Sequence, residues 1–221
     1  MIEESGKRKT LTDFQDLILE IYGVPDDQLY SIWDLLSNQE RFAMRMLKGI
    51  RKNDLERAKF NLIIATAWFF AIANRFHLNL EKEINKRFPY CCPYCENCPC
   101  KCKHKKPDIK TKLKRHKIKP KTLAEIQEMF EKIYPVIDKN LEHIGIHLAE
   151  EQGEISEAMH LFAGTHQTKH FKALAQEMAD YFSHTCALAN KINFNFAQEF
   201  YRLFPENCHV CHKTPCICNF Y

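Results

Sequence analysis

The chain repeats itself, and this constrains its fold more than any other feature. Residues 204–218 read FPENCHVCHKTPCIC and residues 88–102 read FPYCCPYCENCPCKC. A shift of 116 places Cys208, Cys211, Cys216 and Cys218 on Cys92, Cys95, Cys100 and Cys102, and Pro215 on Pro99. The same shift lays ALANKINFNFAQEFYRLFP (187–205) on AIANRFHLNLEKEINKRFP (71–89). Further upstream the offset falls to 112, with TLAEIQEMFEKIYPV (122–136) on TLTDFQDLILEIYGV (10–24). The second copy therefore carries four extra residues near GTHQTKH, 164–170. The fold must be one that can be built twice. The expected division is a first repeat over 1–102, a linker over 103–121 and a second repeat over 122–221.

Each copy reads as helices. Thr122 with Glu125 three residues on forms a capping-box pattern, and Leu123, Ile126, Phe130 and Ile133 follow at helical spacing. Further helices are predicted over about 139–162, 168–191 and 195–203, with a loop containing Gly164 between the first two of these. No segment sustains a two-residue alternation, and glycine is scarce at 6 in 221 residues. The predicted fold class is all-α: two tandem helical-bundle repeats packed as an internal pseudo-dimer, each ending in a small four-cysteine metal knot.

The opening MIEESGKRKT lacks the apolar run of a signal peptide. The most apolar run, LIIATAWFFAIA at 62–73, is too short to span a bilayer and reads as a buried helix. A cytoplasmic location is therefore expected, where eleven cysteines point to metal ligands or buried thiols rather than disulfides. Cys208, Cys211, Cys216 and Cys218 offer four thiolates, enough for a closed tetrahedral Zn²⁺ site; Cys92, Cys95, Cys100 and Cys102 offer a second. Cys91 and Cys98 are extra thiols beside the first knot, and an iron–sulfur cluster is the main rival to zinc. Four thiolates leave no open position, so these sites are structural rather than catalytic. Cys186 stands alone on a predicted helix and reads as a buried apolar residue.

The net charge of +4 is unevenly spread. Residues 101–121 hold eleven Lys/Arg and one Asp. Such a run reads as a solvated linker, or as a contact for phosphates or nucleic acid. It contains no aromatic residue on which a base could stack.

LAEEQGEISEAMHLF (148–162) places Glu150, Glu151, Glu154 and Glu157 within an arc of about 120° on one helix face. On the next predicted helix, Glu177 and Asp180 share a face, with His184 one turn later. Like charges along a helix are unfavourable unless offset, and hard divalent cations such as Mg²⁺ offset them through carboxylate oxygens. Copy one carries none of these groups. Its matched residues are Asn38, Gln39, Phe42, Arg45, Asn61 and Ile64. Scattered surface charges would not vanish together while the cysteines and apolar pattern stay, so the carboxylates read as one unit.

EEQGE (150–154) followed by EMAD (177–180) resembles the EExxE and ExxD pattern of the MazG-like, all-α nucleoside triphosphate pyrophosphatase family. The tail ALANKINFNFAQEFYRLFP is similar to the stretch that follows ExxD in that family. The resemblance covers about 122–205 and, as a degenerate copy, about 10–89. It implies Mg²⁺-dependent hydrolysis of an NTP or dNTP to the monophosphate and pyrophosphate. Glu154, Glu157, Glu177 and Asp180 are the implied ligands, with Glu151 and Glu150 assisting and Glu151 as proton acceptor. Lys191 and Arg202 are the implied phosphate contacts. Members commonly pair to complete the site, which implies copy one as a permanent neighbour. Trp33, Trp68 and Phe69 of copy one are candidates for a base pocket or for core packing. His184 and Asn190, the latter matched by Asn74, read as structural. The cysteine knots depart from the family pattern. With the basic linker they also suit a different class, a zinc-knuckle nucleic-acid-binding or adaptor protein on a MazG-like scaffold.

Overall fold

The computed structural model describes residues 6–102 and 119–218. The basic linker therefore lies outside the described residues except at its two ends. Among the described residues there are eight α-helices and no strand. They are α1 (Leu11–Leu29), α2 (Ile32–Arg51), α3 (Leu55–Arg75), α4 (Leu80–Arg87), α5 (Leu123–Ile133), α6 (Leu141–Thr165), α7 (Thr168–Ile192) and α8 (Phe196–Leu203). No helix among these residues is long and apolar enough to cross a membrane.

Local chemistry sets the helix ends. Thr10 Oγ1 accepts from the Asp13 N–H at 2.9 Å and Asp13 Oδ2 accepts from the Thr10 N–H at 2.7 Å, a full capping box. At the matched Thr122, Oγ1 accepts from the Glu125 N–H at 3.2 Å, but the Glu125 carboxylate accepts instead from the Lys121 N–H at 2.6 Å. Helix α1 runs on through Gly23 to Leu29, whereas α5 stops at Ile133. Pro135, where copy one has Gly23, disfavours helical backbone at the residue before it. The four extra residues of copy two do not enlarge a loop: α6 and α7 are each longer than α2 and α3, and only His166 and Gln167 separate them.

The described residues form two compact units. One comprises Met1–Asn79 and Phe194–Tyr221, the other Leu80–Asn193. Their make-up differs from the segments 1–102 and 122–221 expected from the repeat. Each unit combines three helices of one copy with the terminal arm, a short helix plus a cysteine knot, of the other copy.

In unit 1 the arm helix α8 seats Phe200 against Phe14 (5.3 Å, edge-on) and Phe70 (5.4 Å). The knot is tied down by the Cys216 N–H donating to the Ile21 carbonyl at 2.7 Å. Helices α2 and α3 approach closely at Gly49, where an added Cβ would lie 2.8 Å from the Ala58 nitrogen. Gln15 and Asn74 exchange hydrogen bonds of 2.9 and 3.0 Å.

In unit 2 the equivalent bonds recur with the arm of the other copy. Phe88 meets Phe130 edge-on at 5.0 Å, and the Cys100 N–H donates to the Ile133 carbonyl at 2.8 Å. Gln127 and Asn190 exchange bonds of 2.8 and 3.2 Å, which gives Asn190 its structural role. Cys186 is fully buried in α7, and burial pushes its thiol pKa up.

Candidate active site and metal centres

Within unit 2, α6 and α7 run alongside each other and bring three carboxylates together. One oxygen each from Glu151, Glu177 and Asp180 lies within 4.8 Å of the others. All three side chains are half-buried. Glu154 is exposed but close enough to Glu177 to hydrogen-bond with it. Glu150 and Glu157 are exposed and stand outside this group of three.

The charge of the group is only partly offset. Burial, and then the neighbouring Asp180 and Glu154, push the Glu177 carboxyl up to about 7, against a smaller lowering by Arg87. Arg87 serves Asp180 directly: Nε donates to Oδ1 at 3.0 Å and Nη2 to Oδ2 at 2.7 Å. Its side chain is only 7% exposed and also donates to the Tyr94 hydroxyl at 3.2 Å. On the other flank His184 Nε2 lies 3.5 Å from a Glu151 oxygen, and the His147 ring stacks on His184 at 5.7 Å. His147 is bonded in turn to Glu150 at 2.6 Å and to His143 at 3.1 Å.

The two basic residues implied by the resemblance each have partners within their own unit. Lys191 Nζ donates to the Val136 and Ile137 carbonyls at 3.2 and 3.1 Å. Arg202 belongs to unit 1, where it pairs with Glu199 at 2.7 Å. Arg87 had no signal in either copy read alone, because its partner is on the other repeat. A trace exists only in comparison: Arg87 is matched by Leu203 in the arm that serves the carboxylate-free unit.

The cysteines form two further centres. All eleven are free thiols. Sγ separations are 3.7 Å for Cys92–Cys102 and 3.9 Å for Cys95–Cys100 in one knot. In the other they are 3.7 Å for Cys208–Cys218, 3.8 Å for Cys211–Cys216 and 3.5 Å for Cys208–Cys216. A tetrahedron of sulfurs at the Zn–S distance has edges of ~3.8 Å. Both knots thus have the size and donor set for one zinc-like ion, with no room for a polynuclear iron–sulfur cluster. Backbone N–H groups point at the sulfurs, as from Lys101 to Cys95 at 3.3 Å and from Val210 to Cys208 at 3.4 Å. Such donors stabilise thiolate charge. Cys91 is buried and Cys98 exposed, and neither joins the four-sulfur group.

Of the copy-one aromatics, Phe69 is fully buried core and Trp33 is 38% exposed. Trp68 packs edge-on to Tyr30 at 5.5 Å and lines a cavity in unit 1.

No family model, curated protein or solved structure matches the chain.

Proposed function

We propose that the chain is an Mg²⁺-dependent nucleoside triphosphate pyrophosphohydrolase with one active centre, in unit 2. The observation that carries this reading is the meeting of Glu151, Glu177 and Asp180 on two adjacent helices, within 4.8 Å, where copy one has Gln39, Asn61 and Ile64. The donor set supports a hard cation: every group is a carboxylate, and the raised Glu177 pKa marks a cluster short of positive charge. Bound Mg²⁺ would supply neutralisation of phosphate oxygens and acidify a coordinated water.

The residues divide the remaining work. Glu151, Glu154, Glu177 and Asp180 would hold the ion, with Glu150 and Glu157 further along the same face. Arg87 fixes the orientation of Asp180 through both carboxylate oxygens. Glu151, with His184 beside one oxygen, is our assignment for the acceptor of the water proton. In this reading copy one stands in for the pairing partner, the knots are structural zinc sites, and the protein works in the cytoplasm.

A panel of NTPs and dNTPs with Mg²⁺, with products separated, tests the assignment. Monophosphate and pyrophosphate are expected. Absence of turnover together with steeply salt-dependent binding to DNA or RNA would favour the adaptor reading instead.

A further inference from the structure

Unit 1 lacks the carboxylate cluster, and beside its knot it has a cavity of about 190 Å³. Tyr22, Tyr30, Trp68 and Phe204 contribute aromatic surface to its wall. For scale, a cavity of roughly 150 Å³ accepts benzene and drug-sized ligands occupy about 300 Å³ or more. The space suits one fused planar ring system, not a whole nucleotide.

One polar group inside stands out. Asp26 is 7% exposed and lines the cavity. Its backbone carbonyl accepts from Arg75 Nη2 at 2.9 Å, but its carboxyl group forms no hydrogen bond among the described residues. Arg75 pairs with the exposed Asp27 at 3.0 Å and offsets only part of the charge on Asp26. A largely buried carboxylate without protein donors is suited to a ligand that brings them. Burial accordingly pushes the Asp26 carboxyl up to about 7.

The rim has the opposite character to the matched face of copy two. The lining residues Asn38, Phe42 and Ile64 stand where copy two has Glu150, Glu154 and Asp180, and Arg45, outside the lining, stands where it has Glu157. Arg41, also lining the cavity, is exposed and accompanies Asn38 at 2.6 Å. Arg41 and Arg45 both lie against the Phe42 ring, at 5.0 and 5.1 Å. Neither guanidinium is paired with a carboxylate among the described residues. A face that would take cations in copy two is built in copy one to take an anion.

We propose that this cavity is a metal-independent binding site for a guanine-type nucleotide: the base enters between the aromatic walls, its ring N–H and adjacent amino group donate to Asp26, and its phosphate stays outside at Arg41. A carboxylate accepts two parallel N–H donors in one plane, and aromatic walls stack on a base of any kind, so Asp26 supplies the selectivity. The site requires neither Mg²⁺ nor turnover and stands independently of the hydrolase reading. It makes copy one a sensor of nucleotide rather than a dead copy.

The test uses the zinc-loaded full chain in chelator-free buffer without Mg²⁺, titrated with GMP, AMP and guanosine, and followed by tryptophan fluorescence and equilibrium dialysis. GMP is expected to saturate one site per chain, with AMP weaker by at least roughly tenfold because it lacks the paired donors. Asp26→Asn should weaken GMP by a similar factor while melting as a folded protein. Arg41→Gln, a change at an exposed side chain that gives a readout even if Asp26→Asn does not fold, should bring GMP down to the affinity of guanosine. No saturable GMP binding at millimolar concentration, equal affinity for AMP and GMP, or an Arg41→Gln variant that keeps the GMP preference over guanosine would each overturn the proposal.

Discussion

Arg87 grips Asp180 through both carboxylate oxygens, at 3.0 and 2.7 Å, from a helix that the repeat assigns to the other copy. The pair unites two features that look unrelated along the chain. The carboxylates are confined to copy two, and the arginine to the arm of copy one. Because unit 2 is made of Leu80–Asn193, the arm that serves the carboxylates carries Arg87, while the arm in unit 1 carries Leu203 at the matched place.

Replacing Arg87 with Ala should destabilise unit 2 by ~3 kcal/mol in Mg²⁺-free buffer, since it leaves a largely buried carboxylate among others of like charge. Mg²⁺ should restore part of the loss. Thermal melts with and without Mg²⁺ measure this. An equal loss in both conditions would separate Arg87 from the ion site.

Much of this was legible in the sequence, and the reason is local. The helices declare themselves through caps and spacing, as at Thr122 and Leu123 to Ile133, and the observed helices α6 to α8 begin and end within a few residues of the expected ones. The sulfurs of each knot are close in sequence, so their grouping follows from spacing alone. Glu151, Glu177 and Asp180 could be paired because both helices show one charged face. Arg87 was hidden because its bond spans 93 residues and depends on which arm packs in which unit. Asp26 was hidden because no sequence pattern tells a buried carboxylate from one on a surface helix.

Stability in Mg²⁺-free buffer should fall as pH rises from about 4.5 to about 7. Glu177 and Asp26 both have native pKa values raised to about 7 from ordinary carboxylate values. The folded state thus binds more protons than the unfolded state in this window, and the stability it gains below is lost as pH climbs. Glu177→Gln should reduce the slope and leave the Asp26 part. Melting temperatures across pH 4.5–7.5, an interval of about three units, check the sign. A rise in stability across the window in Mg²⁺-free buffer would contradict it.

Cys211→Ser should lower bound zinc from two equivalents per chain to about one, with the Cys92–Cys102 knot still loaded. Elemental analysis of the purified variant decides this. Two equivalents retained, or none, would contradict the assignment of two separate four-sulfur sites.

Phe200→Ala should cost ~3–5 kcal/mol, since Phe200 is fully buried and contacts both Phe14 and Phe70. Denaturant unfolding followed by far-UV circular dichroism measures the loss. A cost below about 1 kcal/mol would mean that the arm is not seated in the core of unit 1.

The most direct test of the central claim is the initial rate of NTP hydrolysis with Mg²⁺ for the native chain, Glu177→Gln and Asp180→Asn, with pyrophosphate quantified as product. The carboxylate site predicts turnover by the native chain and a loss of at least about a hundredfold in each variant, while both stay folded. Pyrophosphate release at the native rate by either folded variant would contradict the claim.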